Sequence, residues 1–185
     1  MPDDTPRSYE YSKRKGVREL SWDDFAELSA ELAERLAARK MDAIVGIARA
    51  GLFPATAVAT ALRCELYPVR VSRRVNGEVA YTSPTWRVPM PALVAGKSVA
   101  VIDDVADTGE TLALVAAQAR ELGAARVVTA SLIAHSWAGP PPDIAALTTD
   151  ELVIFPWDRR VLIDGVWQPH PEISAAIDAQ RAPPA

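Results

Sequence analysis

Short apolar runs alternate with helical patterns along this chain, and the alternation restricts the folds open to it. Residues 43–47, AIVGI, form a continuous apolar run of the kind found in strands that are buried on both faces. A helix through Leu62 is predicted next, with Pro54 in its first turn. Strands that alternate with helices in this way predict an α/β fold with a parallel sheet and right-handed crossovers.

The other elements follow the same order. Ser21 can cap a first helix, and Gly123 can end the helix that begins at Thr111. Pro68 indicates a sheet edge or a bend in the second strand, and Asp164-Gly165 predicts the turn of a hairpin. We assign five strands to the sheet, namely residues 43–47, 65–71, 97–103, 126–134 and 152–155.

Composition and charge exclude several classes of function. The 185 residues are 49% apolar and 24% charged, which is typical of a soluble globular domain. The net charge of −4 does not indicate the basic surface that binds nucleic acid, and the arginine cluster at residues 70–74 is better explained as a contact for a small anion. Cys64 has no disulfide partner, and two histidines give no zinc-ligand spacing. We expect a cytoplasmic protein without membrane contact, because no apolar run approaches ~18 residues and no signal core is seen.

Three segments fall outside the alternating pattern. We expect disorder in residues 1–16 and 181–185, which are polar or proline-bearing. Between them, residues 17–180 are expected to form one domain. Residues 72–95 are a long, polar and proline-rich excursion, and segments of that length are often lids over a site.

The strongest chemical signal lies in VAVIDDVADTGETL, residues 99–112. Asp103, Asp104 and Asp107 lie at the C-terminal edge of a parallel strand, where ligands bind in open α/β sheets. Gly109 lets successive N–H groups converge at the start of the next helix, which makes a phosphate cradle. The acids suit sugar hydroxyls or Mg²⁺. The residues therefore predict a sugar phosphate site, with an acidic helix cap on the sheet surface as the alternative.

Residues 99–111 resemble the phosphoribosyl pyrophosphate (PRPP) signature of type I phosphoribosyltransferases, which has four apolar residues, two acids, two small residues and then D-T-G-x-T. Residues 44–55 resemble the pyrophosphate loop of that family. SWDDF and VIFPWD, residues 21–25 and 153–158, resemble the first helix and the C-terminal hood of its xanthine, guanine and hypoxanthine enzymes. The resemblance covers roughly residues 20–158.

This resemblance implies a particular α/β architecture, the type I phosphoribosyltransferase fold. A central, mostly parallel sheet is flanked by helices, with a flexible lid at about residues 72–95 and a small hood at about residues 150–170. It also implies a homodimer or homotetramer.

The resemblance implies roles for the signature residues. Asp103 and Asp104 would contact the ribose hydroxyls directly or through Mg²⁺, and Asp107 would take a proton from the incoming base. The 5′-phosphate loop would consist of Ala106, Asp107, Thr108, Gly109, Glu110 and Thr111. The pyrophosphate loop would consist of Ala48, Arg49, Ala50 and Gly51. In this family the peptide before the arginine position, here that between Ala48 and Arg49, is often cis.

The lid and the base site are also assigned by resemblance. The lid side chains that could reach phosphates are Arg73, Arg74, Tyr81, Thr82, Ser83 and Arg87. His135 matches the lysine that meets the 6-oxo group in the purine enzymes and could donate one hydrogen bond there, and a plain strand-end residue is the alternative. The hood would add Leu152, Val153, Trp157 and Asp158, with aliphatic stacking on the base at Leu152 and Val153 unless Trp157 substitutes.

We therefore expect a Mg²⁺-dependent enzyme that transfers the phosphoribosyl group of PRPP to a nitrogen of a 6-oxopurine and releases pyrophosphate. One alternative is a regulator that binds PRPP without catalysis, and another is a phosphoribosyltransferase with a pyrimidine or amine acceptor. Asp107 and Arg49 favour the enzyme, and the acidic net charge disfavours a DNA-binding regulator.

Overall fold

The computed structural model describes residues 14–72, 74–75, 78–79 and 85–181. Most of the two terminal segments for which we expected disorder lies outside that description. In the described part, the helices are α1 (Trp22–Ala37), α2 (Leu52–Leu62), α3 (Glu110–Glu121) and α4 (Pro171–Arg181), with a short 3₁₀ turn at Ala92–Val94. The strands are β1 (Val17–Glu19), β2 (Ala43–Ala48), β3 (Glu65–Ser72), β4 (Arg74–Val75), β5 (Glu78–Val79), β6 (Thr85–Val88), β7 (Ser98–Ala106), β8 (Arg126–Ala134), β9 (Ile144–Thr148), β10 (Leu152–Ile154), β11 (Arg160–Ile163) and β12 (Val166–Pro169).

The described residues form two compact units. The larger unit comprises residues 28–149, and the smaller comprises residues 14–27 and 150–181. No helix in these ranges is long and apolar enough to span a membrane.

The larger unit is built on one six-stranded sheet with the order β6-β3-β2-β7-β8-β9. Only β6 runs antiparallel, so the sheet is mostly parallel as predicted. Successive residues of β2 face opposite sides: Val45 packs in one core cluster with Val115 of α3, whereas a Cβ on Gly46 would lie 2.7 Å from the Ala55 Cβ of α2. Helices on both faces explain why this strand is apolar throughout.

The start of α1 is fixed by a reciprocal cap, as predicted at Ser21. The Ser21 Oγ accepts a hydrogen bond from the Asp24 N–H at 3.1 Å, and the Asp24 Oδ2 accepts one from the Ser21 N–H at 2.7 Å. These bonds satisfy N–H groups that the first helical turn leaves open. The hydrogen bonds from Ser21 also hold the pKa of the Asp24 carboxyl below its ordinary value.

The prediction of the fifth sheet strand was wrong. Residues 152–154 do form a strand, β10, but it pairs in parallel with β1 in the smaller unit. The outer strand of the main sheet is β9, next to β8. The Asp143 carboxylate accepts hydrogen bonds from the Thr129 N–H and hydroxyl at 2.8 and 3.0 Å, which fixes the start of β9. We missed β9 because the proline run before it is typical of a loop.

The proline in β3 lies at a local edge. Pro68 is opposite Gly46 of β2, and β6 joins the other side of β3 only from Arg70 onward. A proline is tolerated there because no hydrogen bond of the ladder requires its missing N–H.

Residues 85–95 of the predicted lid contribute to the sheet and to the core of the larger unit. The strand β6 extends the sheet, and Met90 and Val94 are buried in the core of the larger unit. The physical reason is that β3 gains a ladder partner after Arg70 and the core gains two apolar side chains.

The smaller unit combines the strand pair formed by β1 and β10, the hairpin formed by β11 and β12, and helix α4. The hairpin turn predicted at Asp164-Gly165 is confirmed, with φ of 50° and 78° and Ile163 opposite Val166. Helix α4 was not predicted. It buries Ala176 against Leu152 and Ile154.

Candidate active site

Two loops that follow neighbouring strands meet at the carboxyl edge of the sheet. Strands β2 and β7 are adjacent and parallel, so their ends lie side by side. A Cβ on Gly51, after β2, would lie 2.5 Å from the Asp103 Oδ1 and 2.6 Å from the Ile47 carbonyl oxygen. No side chain fits in that space. The glycine thus lets residues 48–51 approach Asp103 of β7 directly.

The loop at residues 48–51 is a tight turn into α2. The peptide between Ala48 and Arg49 is cis. The Arg49 carbonyl accepts a hydrogen bond from the Leu52 N–H at 3.1 Å, and the Gly51 carbonyl accepts one from the Ala55 N–H at 3.1 Å. Arg49 is exposed just before the N-terminal turn of α2. A guanidinium beside the open N–H groups of a helix start can bind an anion such as pyrophosphate.

The paired acids Asp103 and Asp104 are half-buried near the end of β7. The Asp104 N–H donates to the Asp103 Oδ1 at 3.0 Å. Burial raises the pKa of the Asp103 carboxyl well above its ordinary value, and the charge of Asp104 raises it further. Burial also raises the pKa of the Asp104 carboxyl. A cation bound between the two carboxylates would stabilise their ionised forms, because it offsets their mutual repulsion.

The donor chemistry of this pair fits Mg²⁺. Mg²⁺ commonly takes one or two protein carboxylates and completes its shell with water and substrate phosphate oxygens. Within the described ranges, no group of three or more His, Cys, Asp and Glu side chains is placed to hold a metal ion. A cation at Asp103 and Asp104 would therefore take its remaining ligands from water and substrate.

The loop at residues 106–110 leads into α3. Gly109 is the N-cap of the helix and has φ +81°, a conformation that side-chain-bearing residues rarely adopt. The Glu110 N–H donates a long hydrogen bond of 3.4 Å to the Thr108 hydroxyl. The loop thus places the N-terminus of α3 next to the paired acids. The open N–H groups of a helix N-terminus can bind a phosphate group.

A second loop, which we did not predict, holds the first one in place. We call residues 135–140 the holding turn. Its His135 N–H donates to the Ala106 carbonyl at 3.2 Å, and its Gly139 N–H donates to the Thr108 carbonyl at 3.0 Å. Between these two bonds, the Trp137 indole N–H donates to the Asp107 Oδ1 at 3.1 Å. The loop at residues 106–110 is therefore held by hydrogen bonds at three successive residues.

The comparisons with known proteins identify the family. A model of the phosphoribosyl transferase domain matches residues 18–163, which include both loops and the paired acids. The chain belongs to the phosphoribosyltransferase family. It is an enzyme with the type I phosphoribosyltransferase fold, and this family uses PRPP and a nitrogen base. The resemblance on which the sequence-based expectations depend is confirmed.

Three known proteins are similar to this phosphoribosyltransferase over two thirds or more of its length. A xanthine-guanine phosphoribosyltransferase of Cereibacter sphaeroides is 30% identical over 150 residues, which cover 77% of this chain and 87% of the relative. An adenine phosphoribosyltransferase of Xanthomonas euvesicatoria is 32% identical over 139 residues, 68% of this chain and 75% of the relative. The solved structure of a purine phosphoribosyltransferase from Pyrococcus horikoshii is 32% identical, covers 80% of this chain and 98% of its own, and superposes with a TM-score of 0.70.

His135 of this phosphoribosyltransferase is buried, with 4% of its surface exposed. Its Nδ1 lies 2.6 Å from the Thr149 carbonyl oxygen, and its ring stacks on Trp137 with centroids 4.5 Å apart. Because a carbonyl only accepts, Nδ1 carries the proton of this bond. The neutral ring then has an acceptor at Nε2, so donation to a 6-oxo group through Nε2 needs the imidazolium. The contact between His135 and the base stays a prediction.

The hood residues lie in the smaller unit. The Leu152 side chain is 3% exposed and belongs to the apolar cluster with Ala176, which is a poor place for a residue that stacks on a base. Its neighbour Val153 is half-buried. Trp157 stacks on Phe155 at 4.6 Å between centroids, and Asp158 donates its N–H to the Phe155 carbonyl at 3.0 Å.

Trp157 is part of an aromatic cluster that we did not predict as a unit. The Phe25 ring meets it edge-on at 5.4 Å, and the Trp22 ring lies 6.1 Å away. The signal was present in SWDDF and VIFPWD, but only the folded chain brings these segments together.

The lid residues are mostly outside the described part of the chain. This applies to Arg73, Tyr81, Thr82 and Ser83, and for Arg74 only the backbone in β4 is described. Arg87 is an exposed residue of the edge strand β6. The proposed phosphate contacts of these side chains stay predictions.

Proposed function

We propose that this phosphoribosyltransferase moves the 5-phosphoribosyl group of PRPP to a ring nitrogen of a 6-oxopurine, with Mg²⁺, and releases pyrophosphate. The observation that supports the proposal is the close approach of Gly51 to Asp103, because it brings the loop at residues 48–51 to the paired acids that precede the loop at residues 106–110. PRPP has the matching chemistry, with a phosphate at one end, a pyrophosphate at the other and ribose hydroxyls between them.

The proposed roles follow from this arrangement. Residues 106–110 would bind the 5′-phosphate through the N-terminus of α3, and residues 48–51 would bind the pyrophosphate with Arg49. Asp103 and Asp104 would hold Mg²⁺ and the ribose hydroxyls. Mg²⁺, when bound, would neutralise negative charge on the pyrophosphate and so favour its departure.

The transfer forms one bond and breaks one bond. The base nitrogen bonds to C1′ of the ribose while the bond from C1′ to the pyrophosphate oxygen breaks, and pyrophosphate leaves with that electron pair. The nitrogen loses its proton, which we assign to the Asp107 carboxylate. A positioned general base contributes about 10²- to 10⁴-fold to the rate of such a step.

A purine acceptor is supported by the relatives, which are named as purine enzymes, and a 6-oxopurine by the xanthine-guanine relative among them. The xanthine-guanine relative aligns over a larger part of this chain than the adenine relative does, 77% against 68%. With an oxopurine, His135 would donate to the 6-oxo group as the imidazolium.

Adenine is a second candidate, favoured by one specific observation. The hydrogen bond from His135 Nδ1 to the Thr149 carbonyl leaves Nε2 of the neutral ring as an acceptor. An acceptor there pairs with the 6-amino group of adenine rather than with a 6-oxo group.

The test is a panel of bases. The purified protein is incubated with Mg²⁺, PRPP and one of hypoxanthine, guanine, xanthine, adenine or uracil, and pyrophosphate release is measured. We expect the three oxopurines to give the highest kcat/KM. Adenine in first place would establish the second candidate, and activity confined to uracil would refute a purine acceptor. Size-exclusion chromatography with light scattering tests the proposed homodimer or homotetramer.

A further inference from the structure

Trp137 has no role in the proposed chemistry, yet it contacts the residue to which we assign the proton transfer. Its indole N–H donates to the Asp107 Oδ1 at 3.1 Å. Trp137 lies in the turn after β8, whereas Asp107 follows β7, so the bond joins two loops that are 30 residues apart in sequence.

The indole is itself held from behind. Its ring is stacked on His135 with 4.5 Å between centroids and 17° between planes. His135 is anchored by its Nδ1 bond to the Thr149 carbonyl and by its N–H bond to the Ala106 carbonyl. A donor fixed in this way can hold a carboxylate in one rotamer instead of following its motion.

The chemistry of the indole suits such a task. The Trp N–H donates and cannot accept, so Trp137 does not compete with Asp107 for the proton of the base. Hydrogen bonds to a charged acceptor are stronger than neutral ones, so the indole N–H is a suitable partner for a carboxylate. A misplacement of a catalytic group by about 1 Å costs about 10²-fold in rate.

We infer that Trp137 is a positioning residue for Asp107, which it holds in the orientation that receives the proton of the incoming base. The inference rests on the proposed function, in which Asp107 is the general base. Trp137 and His135 then form one support, and the burial of His135 beneath the indole becomes part of the catalytic geometry.

The test uses Trp137→Phe, which keeps an aromatic ring at this position and removes the N–H donor. We expect kcat at saturating PRPP and base to fall about 10- to 100-fold, with the KM for PRPP changed less than about threefold. The control is Trp167→Phe on the exposed hairpin strand β12, which should leave kcat unchanged. Thermal unfolding of each variant checks the fold. If Trp137→Phe does not fold, Trp137→3-benzothienylalanine removes the N–H from a ring of nearly the same shape.

A double-mutant cycle separates positioning from a general structural role. In the Asp107→Asn background, Trp137→Phe should change kcat less than about twofold, because the group it orients is already disabled. An equal loss in both backgrounds, or a Trp137→Phe kcat within about threefold of the parent, would overturn the inference. If Asp107→Asn alone keeps its kcat within about threefold, the proposed general base fails and the inference fails with it.

Discussion

Replacement of Gly109 by alanine should both destabilise the protein and impair PRPP binding. Gly109 has φ +81°, and a Cβ on it would lie 2.1 Å from the Pro140 carbonyl oxygen, with the Pro140 carbonyl carbon at 3.1 Å. Cβ contacts under 3.0 Å are essentially never seen, so one of the two backbones must move by nearly an ångström. The new Cβ would meet backbone atoms of Pro140 in the holding turn, so no flexible side chain can give way.

Two separate costs add in Gly109→Ala. A side chain in the left-handed conformation costs about 1–2 kcal/mol, and overpacking of a close contact costs about 1–3 kcal/mol. We therefore expect the free energy of unfolding to fall by about 2–5 kcal/mol. Gly96 provides the matched control, because it has φ +73° and its added Cβ would meet nothing within 4 Å. Gly96→Ala should lose only the conformational part, about 1–2 kcal/mol.

Urea unfolding at equilibrium measures both variants against the parent. The difference between Gly109→Ala and Gly96→Ala isolates the collision with Pro140. PRPP titration should show weaker binding for Gly109→Ala only, since Gly96 precedes β7 and lies outside the loop. If the two variants were equally stable to within about 0.5 kcal/mol, the close contact between the two loops would not matter for stability, and our account of the holding turn would be refuted.

Three further predictions concern the acids and the histidine. The double variant Asp103→Asn/Asp104→Asn should lose most of its Mg²⁺-dependent PRPP affinity while remaining folded, and unchanged affinity in calorimetry would remove the pair from the site. Burial and the charge of Asp104 raise the pKa of Asp103, so this carboxyl should lower the stability of the Mg²⁺-free protein as pH rises from the ordinary carboxyl value of about 3.9 toward the raised one. Asp103→Asn should therefore unfold at a higher temperature than the parent at neutral pH without Mg²⁺, and the two should converge below pH ~4, whereas an equal pH dependence would contradict the raised pKa. His135→Ala should raise the KM for the purine more than the KM for PRPP in steady-state kinetics, and the reverse order would exclude contact with the base.

The elements that could be predicted from the sequence are those whose signals are local. The apolar run of β2 is one such signal. The acids at the end of β7 and the glycine before α3 are another, because they lie within a few residues of one another and their spacing alone indicates a strand, an anion loop and a helix. The Asp164-Gly165 turn is of the same kind, because its two positive φ values depend only on those residues. Each of these features needs no knowledge of what packs against it.

The features that we missed depend on contacts between distant segments. β9 is a strand because β8 offers a ladder and the Asp143 carboxylate meets Thr129. Residues 152–154 pair with β1, some 135 residues earlier, rather than with the main sheet. The holding turn has no pattern of its own, and its role exists only because β7 and β8 are neighbours in the sheet. Such pairings are decided by the fold and not by local propensity.

The same distinction explains why the signature residues identify the family and not the base that it uses. Under the proposed function, the signature residues 99–111 would bind the parts of PRPP that every reaction of the family shares, namely the 5′-phosphate and the ribose. The bases would be distinguished at their 6-position, where by resemblance this chain has His135 in place of the lysine of the purine enzymes. Since the Thr149 carbonyl can only accept, the backbone itself determines that Nδ1 is the protonated nitrogen. Whether Nε2 presents a donor or an acceptor then depends on the charge of one ring, so the choice between an oxopurine and adenine can change without any change in the PRPP site.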